Sequence, residues 1–188
     1  MASRQEQLER TRESLIDAGF RLAGQVGLGA MSVNLVVEAA GVSKGTFFHH
    51  FGDRAGYLVA LHRSFHDRLI GDILEAIAPF PAGRDRLLAA ADGYLDACLD
   101  NRGVRALLLD ARAEPAITAE VRERNDQMSL LCEADFKVLQ WPHPRDGARL
   151  WVGVVAEAAL IEFDAGARRP PVREALAHYL GPAAAIDV

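Results

Sequence analysis

Apolar residues along this chain recur at intervals of three and four and never alternate over the length of a strand, so the pattern predicts helix almost throughout. Leu8, Leu15, Leu22 and Val26, with Thr11, Ala18 and Gly19 between them, line one face of a first helix. It gives out where glycines accumulate, from Gly24 to Gly29. Ser32 suits the N-cap of a short second helix, VNLVVEAA, closed by Gly41, and Ser43 that of a third, KGTFFHHF, closed by Gly52. Asp53 caps a long fourth helix with Leu58, Leu61, Phe65, Leu69 and Ile73 on one stripe.

PFPAG at 79–83 breaks the pattern and marks the first plausible boundary. Leu87, Leu88, Ala91, Tyr94, Leu95 and Cys98 then define a fifth helix, Val104 to Arg112 a sixth, and Pro115 opens a seventh running to about Leu139. WPHPRDG (141–147) reads as a loop. Ala148 to Ala165 is an eighth helix, apolar on most sides, and PP at 170–171 opens a ninth, REALAHYL. The expected fold is all-α, with nine helices.

Composition narrows the setting. Half of the 188 residues are apolar and a quarter charged, as in ordinary globular proteins. The opening MASRQEQLERTRESL lacks the apolar core of a signal peptide. The longest greasy run, WVGVVAEAALI, is too short to span a bilayer and contains Glu157. Cys98 and Cys132 have no framework or zinc spacing and suit small core positions in a reducing compartment. The expectation is a cytoplasmic protein with no membrane partner. His62 and His66 have a spacing that can grip zinc, but no third ligand lies beside them, so neither metal nor cofactor is expected. The net charge of −5 is uneven: residues 1–70 carry 8 Lys/Arg against 7 Asp/Glu, and the rest is acidic. That distribution permits the N-terminal part to bind nucleic acid.

A short helix, a glycine turn and a second short helix are the parts of a helix-turn-helix. In the second of these helices Phe47 and Phe51 lie four apart and share the inward face. Lys44, Gly45, Thr46, Phe48 and His49 are left for the groove, with Ser43 at the helix start. Lys44 can bond a guanine edge or a phosphate, and Phe48 can offer only apolar contact, as to a thymine methyl. His50 and Arg54 are expected on the phosphate backbone. Ser32 and Asn34, opening the preceding helix, complete the DNA-binding candidates.

TRESLIDAGFRL, SVNLVVEAAGVSKGT and FFHHFGDRAGYL together resemble the DNA-binding domain of the TetR family of transcriptional regulators, from Thr11 to Leu61. Two positions depart from the usual family pattern: Phe48 replaces a tyrosine and Val37 an alanine. The resemblance implies a TetR-type helix-turn-helix domain over 9–69, its motif at about 32–51, and a ligand-binding and dimerisation domain over 70–188. It further implies a homodimer formed mainly by helices eight and nine, roughly Arg149–Phe163 and Val172–Leu180. Interface candidates are then Gly153, Ala156, Ala158, Ala159, Phe163, Leu176, Tyr179 and Leu180. Two-fold symmetry would set the recognition helices about 34–36 Å apart on a palindromic double-stranded DNA operator.

The expected function is repression relieved by a small apolar or amphipathic effector, with helix four as the lever. Candidate effector contacts, chosen by residue type and helix face, are His62, Tyr94, Cys98, Arg112, Asn125, Met128, Cys132, Phe136, Trp151 and Glu157. Asn125 and Glu157 enter because each sits in an apolar stripe, where a polar group must find a partner. Two alternatives stay open: a constitutive dimeric DNA-binding regulator without a ligand, and a helical-bundle enzyme or carrier. No nucleophile–base pair or phosphate loop supports catalysis, so an enzyme is not expected.

Overall fold

The computed structural model describes residues 3–181. Among the described residues nine α-helices and one 3-10 turn account for the regular structure, with no strand. The helices are α1 (Arg4–Ala23), α2 (Val33–Ala40), α3 (Lys44–Phe51), α4 (Arg54–Ile77), α5 (Arg84–Asp100), α6 (Arg102–Asp110), α7 (Pro115–Val138), α8 (Pro144–Ala165) and α9 (Pro170–Tyr179). None is long and apolar enough to cross a membrane.

Helix starts follow the capping chemistry written in the sequence. Ser32 Oγ accepts from the Leu35 N–H at 3.2 Å, Ser43 Oγ from the Thr46 N–H at 3.1 Å, and Asp53 Oδ1 from the Gly56 N–H at 2.7 Å. Two boundaries differ from the pattern-based reading. α8 starts at Pro144 instead of Ala148, because proline loses nothing in the first turn of a helix and Asp146 favours its positive end. The sixth helix ends at Asp110, and Ala111–Ala113 tighten into the 3-10 turn.

The chain divides into two compact units, and the division falls within α4 and α7. The first comprises the residues up to Asp67 together with Asn101–Val121; the second comprises Arg68–Asp100 and the residues from Arg122 on. α6 and the start of α7 therefore belong with the N-terminal helices, where the sequence had suggested a single cut near residue 69. The reason is packing that no local pattern carries: Val104, Leu107, Leu108, Ala111 and Ile117 are all buried. α6 also comes so close to the end of α1 that a Cβ on Gly103 would stand 2.5 Å from the Gly24 Cα.

In the first unit Leu15, Ile16, Val36, Phe47, Tyr57, Leu58 and Leu61 form the buried floor under α1–α4. Tyr57 donates its hydroxyl to the Leu15 carbonyl at 2.9 Å, and burial pushes the phenol well above its ordinary pKa. Gly19 leaves the space for that hydroxyl: a Cβ there would overlap the phenol oxygen. Gly19→Ala should accordingly lower thermal stability by about 1–3 kcal/mol despite alanine's higher helix propensity. Adding Tyr57→Phe should relieve part of the loss in a melting experiment, and no loss in the single variant would disprove this packing.

The second unit is built around Leu87, Leu95, Cys98, Phe136, Trp151, Ala158, Ala159 and Leu176. Arginines tie its helices together. Arg84 donates to the Ala177 and Gly181 carbonyls at the end of α9, at 3.2 and 2.9 Å. Arg86 grips both oxygens of Asp135 at 2.7 and 2.8 Å, and Asp135 also accepts the Gly83 N–H at 2.7 Å. Arg173 of α9 reaches Glu162 of α8 and both Asp92 and Asp96 of α5, while Glu162 also accepts the Arg169 N–H at 2.8 Å.

Candidate nucleic-acid interface

α2 and α3 meet at a turn that only a small residue takes without strain. Gly41 has φ 67 and ψ 33, in the left-handed region. Its N–H donates to the Glu38 carbonyl at 3.2 Å and the Val42 N–H to the Val37 carbonyl at 3.0 Å, so the end of α2 is hydrogen-bonded. The Ser43 and Thr46 hydroxyls lie 2.9 Å apart, joining the cap to the first turn of α3.

α3 has two distinct faces. Phe47 is fully buried, its ring 5.3 Å from that of Phe51 and 5.1 Å from that of Tyr57. Phe51 is half-buried and carries the Arg12 guanidinium over its ring at 5.7 Å. On the other side Lys44, Gly45, Phe48 and His49 are exposed, and Thr46 is half-buried. Phe48 is held edge-on by Phe47, with ring centroids 5.5 Å apart. A Cβ on Gly45 would meet only Ser43 Oγ, at 3.6 Å, so nothing inside the chain requires glycine there. Such a residue costs a helix about 1 kcal/mol relative to alanine. Ser32 and Asn34 are exposed at the start of α2.

Two expected backbone contacts do not survive. Arg54 turns inward: Nη2 donates to the Leu28 carbonyl at 2.8 Å and Nε to the Met31 carbonyl at 3.3 Å, and Nη1 lies 3.9 Å from Glu114. It clamps the loop before α2 instead of offering a free cation to phosphate. His50 is half-buried, and its Nε2 is buried without a hydrogen-bond partner. Burial first, then the charges of His49 and Arg12, hold its imidazole below the ordinary value, so it is neutral at pH 7 and a poor phosphate ligand.

The residues proposed for an effector are scattered. His62 and Arg112 belong to the first unit, His62 buried and Arg112 exposed, and the others to the second. Cys98, Phe136 and Trp151 are packed core side chains, with Tyr94 and Cys132 against that core and Met128 half-buried. Asn125 and Glu157 are exposed, contrary to the apolar-stripe reading. The buried polar groups of α7 are instead Glu120, Ser129 and Asp135, each hydrogen-bonded: Glu120 to Arg63 at 2.8 Å, Ser129 to the Asp126 carbonyl at 2.8 Å, Asp135 to Arg86. Satisfied in this way, they take inward positions that the pattern assigns to apolar residues, while Leu130, Leu131 and Val138 are exposed. Burial pushes the Cys132 thiol up to about 12, which keeps it protonated and unreactive. Arg105 of α6 escaped the sequence reading: it is 3% exposed, and its Nε is buried without a hydrogen-bond partner. Its only signal is a lone cation among Val104, Leu107 and Leu108.

The interface residues divide as well. Ala158, Ala159, Leu176 and Leu180 are at most 5% exposed within their own chain, so they cannot offer a surface to a second copy. α8 is apolar enough for two buried faces, and packing on α5 and α9 uses the one bearing these alanines. Ala156, Phe163 and Tyr179 are half-buried, Tyr179 lying 5.7 Å from Trp141 and 5.9 Å from Trp151 by ring centroid. Gly153 is exposed.

Comparison with known proteins bears directly on the helix-turn-helix. Residues 15–61 match the model of the bacterial regulatory proteins, tetR family. The chain is 32% identical over 149 residues to the HTH-type transcriptional regulator BetI of Stenotrophomonas maltophilia (strain R551-3), spanning 73% of this chain and 74% of that protein. Its fold is similar to the crystal structure of a transcriptional regulator from Rhodococcus sp. Rha1, with a TM-score of 0.76 and 26% identity over 90% of this chain and 94% of that one. The multidrug binding protein EbrR, in complex with imidazole, shares the fold at a TM-score of 0.71 and 24% identity, over 94% of this chain and 98% of its own. The capped α2–turn–α3 unit and these likenesses agree: the chain belongs to the tetR family of bacterial regulatory proteins and is a DNA-binding transcriptional regulator, not an enzyme.

Proposed function

We propose that the protein is a cytoplasmic homodimeric repressor that leaves a palindromic operator when a small molecule binds its second unit. The observation that carries the DNA half is the outward face of α3, where Lys44, Gly45, Phe48 and His49 stand exposed over an anchored Phe47. Lys44 bonds a guanine edge or phosphate, and Gly45 lets the duplex approach the helix backbone. Ser32, Asn34, Ser43 and Thr46 supply hydroxyl and amide groups for the flanking phosphates. Operator contact thus belongs to the part of the first unit within residues 9–69, and effector binding and dimerisation to the second unit within 70–188.

The effector reading draws on the shared fold with a multidrug binding protein crystallised with imidazole. Tyr94, Met128 and Cys132, partly buried beside the apolar core, suit a small apolar or amphipathic molecule. Release requires only that the effector bind the DNA-incompetent state more tightly. α4 and α7 run from one unit into the other and give that preference a helical route.

The test is a gel shift with the DNA upstream of the protein's own coding region. Wild type should retard it at low salt, and Lys44→Ala should abolish or sharply weaken retardation while leaving the melting temperature unchanged. The log–log salt slope of the variant should shrink by about one if Lys44 holds a phosphate. Normal binding by Lys44→Ala would mean that α3 meets DNA through another face. A thermal-shift screen against the substrates of neighbouring genes addresses the effector, a ligand that raises the melting temperature and releases the DNA being the expected result.

A further inference from the structure

Arg105 of α6 is 3% exposed, and its Nε is buried without a hydrogen-bond partner. Arginine cannot shed its proton in a protein, so a full positive charge sits inside the first unit. The surrounding segment brings it no counter-charge. Of the three carboxylates between residues 101 and 121, Asp110 is exposed, Glu114 lies 3.9 Å from Arg54, and Glu120 accepts from Arg63 at 2.8 Å. Asn101 forms no side-chain cap on α6, so the first N–H groups of that helix add partial positive charge one turn before Arg105. A buried cation in this state is costly, and an anion arriving from solution relieves the cost.

We propose that Arg105 anchors a ligand site in the first unit for an organic carboxylate with an apolar body. The two oxygens of a carboxylate match the planar fork of a guanidinium, and they supply the single negative charge that the cation lacks. The neighbouring side chains select the body. Leu108, three residues on, shares a face of α6 with Arg105, and Val104 and Leu107 lie beside that face, all three of them buried. Inorganic phosphate needs further donors for its remaining oxygens, and these aliphatic side chains have none. The site is separate from the effector residues proposed above, since Tyr94, Met128 and Cys132 belong to the second unit.

Its place in the first unit gives a bound carboxylate access to the DNA-binding helices. Gly103, two residues before Arg105, meets the backbone at the end of α1, where Gly24 leaves no room for a Cβ. Arg21 of α1 in turn donates to the Ala39 carbonyl at the end of α2 at 3.2 Å. A ligand that binds only the folded unit stabilises it by mass action, and α3 with it.

Thermal melting and titration calorimetry of the full chain test the proposal, with octanoate as the probe, octanol as its neutral counterpart and inorganic phosphate as the bare anion. Octanoate should bind and raise the melting temperature, and octanol and phosphate should each bind about tenfold more weakly or worse. Arg105→Met should melt at or above the wild-type temperature without ligand, because an unpaired charge is gone, and should lose the preference for octanoate over octanol. Arg105→Lys keeps the charge without the fork and should retain only part of that preference. Equal binding of octanoate and octanol by wild type, or an unchanged preference in Arg105→Met, overturns the site. An Arg105→Met protein that melts well below wild type also overturns it, since the chain itself then neutralises the cation. Phosphate binding as tight as that of octanoate overturns the apolar-bodied ligand.

Discussion

Replacing Arg173 with alanine is expected to lower the stability of the protein by about 3–5 kcal/mol, the range found when one partner of a buried ion pair is removed. Glu162 is 0% exposed, and its two oxygens receive Arg173 Nε and Nη2 at 2.9 and 2.7 Å. Without the guanidinium, a carboxylate inside the second unit keeps only the Arg169 N–H, and Asp92 and Asp96 of α5 lose their tie to α9. Lysine at this position cannot reproduce the forked contact and should recover only part of the loss.

The same pair makes a prediction about pH. The hydrogen bond from Arg173, against the opposing effect of burial, holds Glu162 below the ordinary carboxylate value. A depressed folded pKa contributes stability that is complete above the unfolded value, about 4.3, and is lost as pH falls through the folded one. In Arg173→Ala burial is opposed only by the Arg169 N–H and the Arg168 charge, so the folded pKa rises relative to wild type and that variant suffers most at neutral pH. Denaturant midpoints for the two proteins should therefore lie far apart at pH 7 and converge as the pH drops below about 4. A separation that stays constant with pH would mean that Glu162 is not the group responsible.

Phe47→Ala should cost a comparable amount, about 3–5 kcal/mol for a large buried aromatic. Phe47 is the buried residue of α3, and its ring meets those of Phe48, Phe51 and Tyr57 within 5.5 Å. An eight-residue helix is too short to persist without tertiary packing, so removing this anchor should melt α3 against its neighbours and abolish operator retardation as well. The contrast with Lys44→Ala is the informative part: one variant loses DNA binding with its fold intact, the other loses both. A Phe47→Ala protein with an unchanged melting curve would show that α3 is seated by other contacts.

The helix-turn-helix was legible in the chain because its determinants are local. Ser32, Ser43 and Asp53 cap helices through backbone N–H groups three residues away, Gly41 closes α2 by its own φ, and the four-residue spacing of Phe47 and Phe51 sets the inward side of α3. These signals place α2 and α3 to the residue. Arg54 and His50 were misread for the opposite reason. An arginine beside a recognition helix is equally able to clamp phosphate or a carbonyl, and only the approach of Leu28 and Met31 selects the carbonyls. Some effector and dimer candidates lie elsewhere on similar grounds: Asn125 and Glu157 are exposed, and Ala158, Ala159, Leu176 and Leu180 are buried within their own chain. On an apolar helix such as α8 the pattern does not say which side meets its own chain, so buried Ala158 and exposed Gly153 look alike in sequence.

The sequence by itself therefore determined the helices, their caps and which face of α3 points outward, since each depends on bonds or spacings within a few residues. Tertiary structure decided the rest: the return of α6 to the first unit, the polar inward positions of α7, the burial of Glu162 under Arg173 and which side of α8 is exposed. Each of these depends on partners brought together from distant or separate segments, where the energy lies in long-range packing and paired charge, for which local periodicity holds no record.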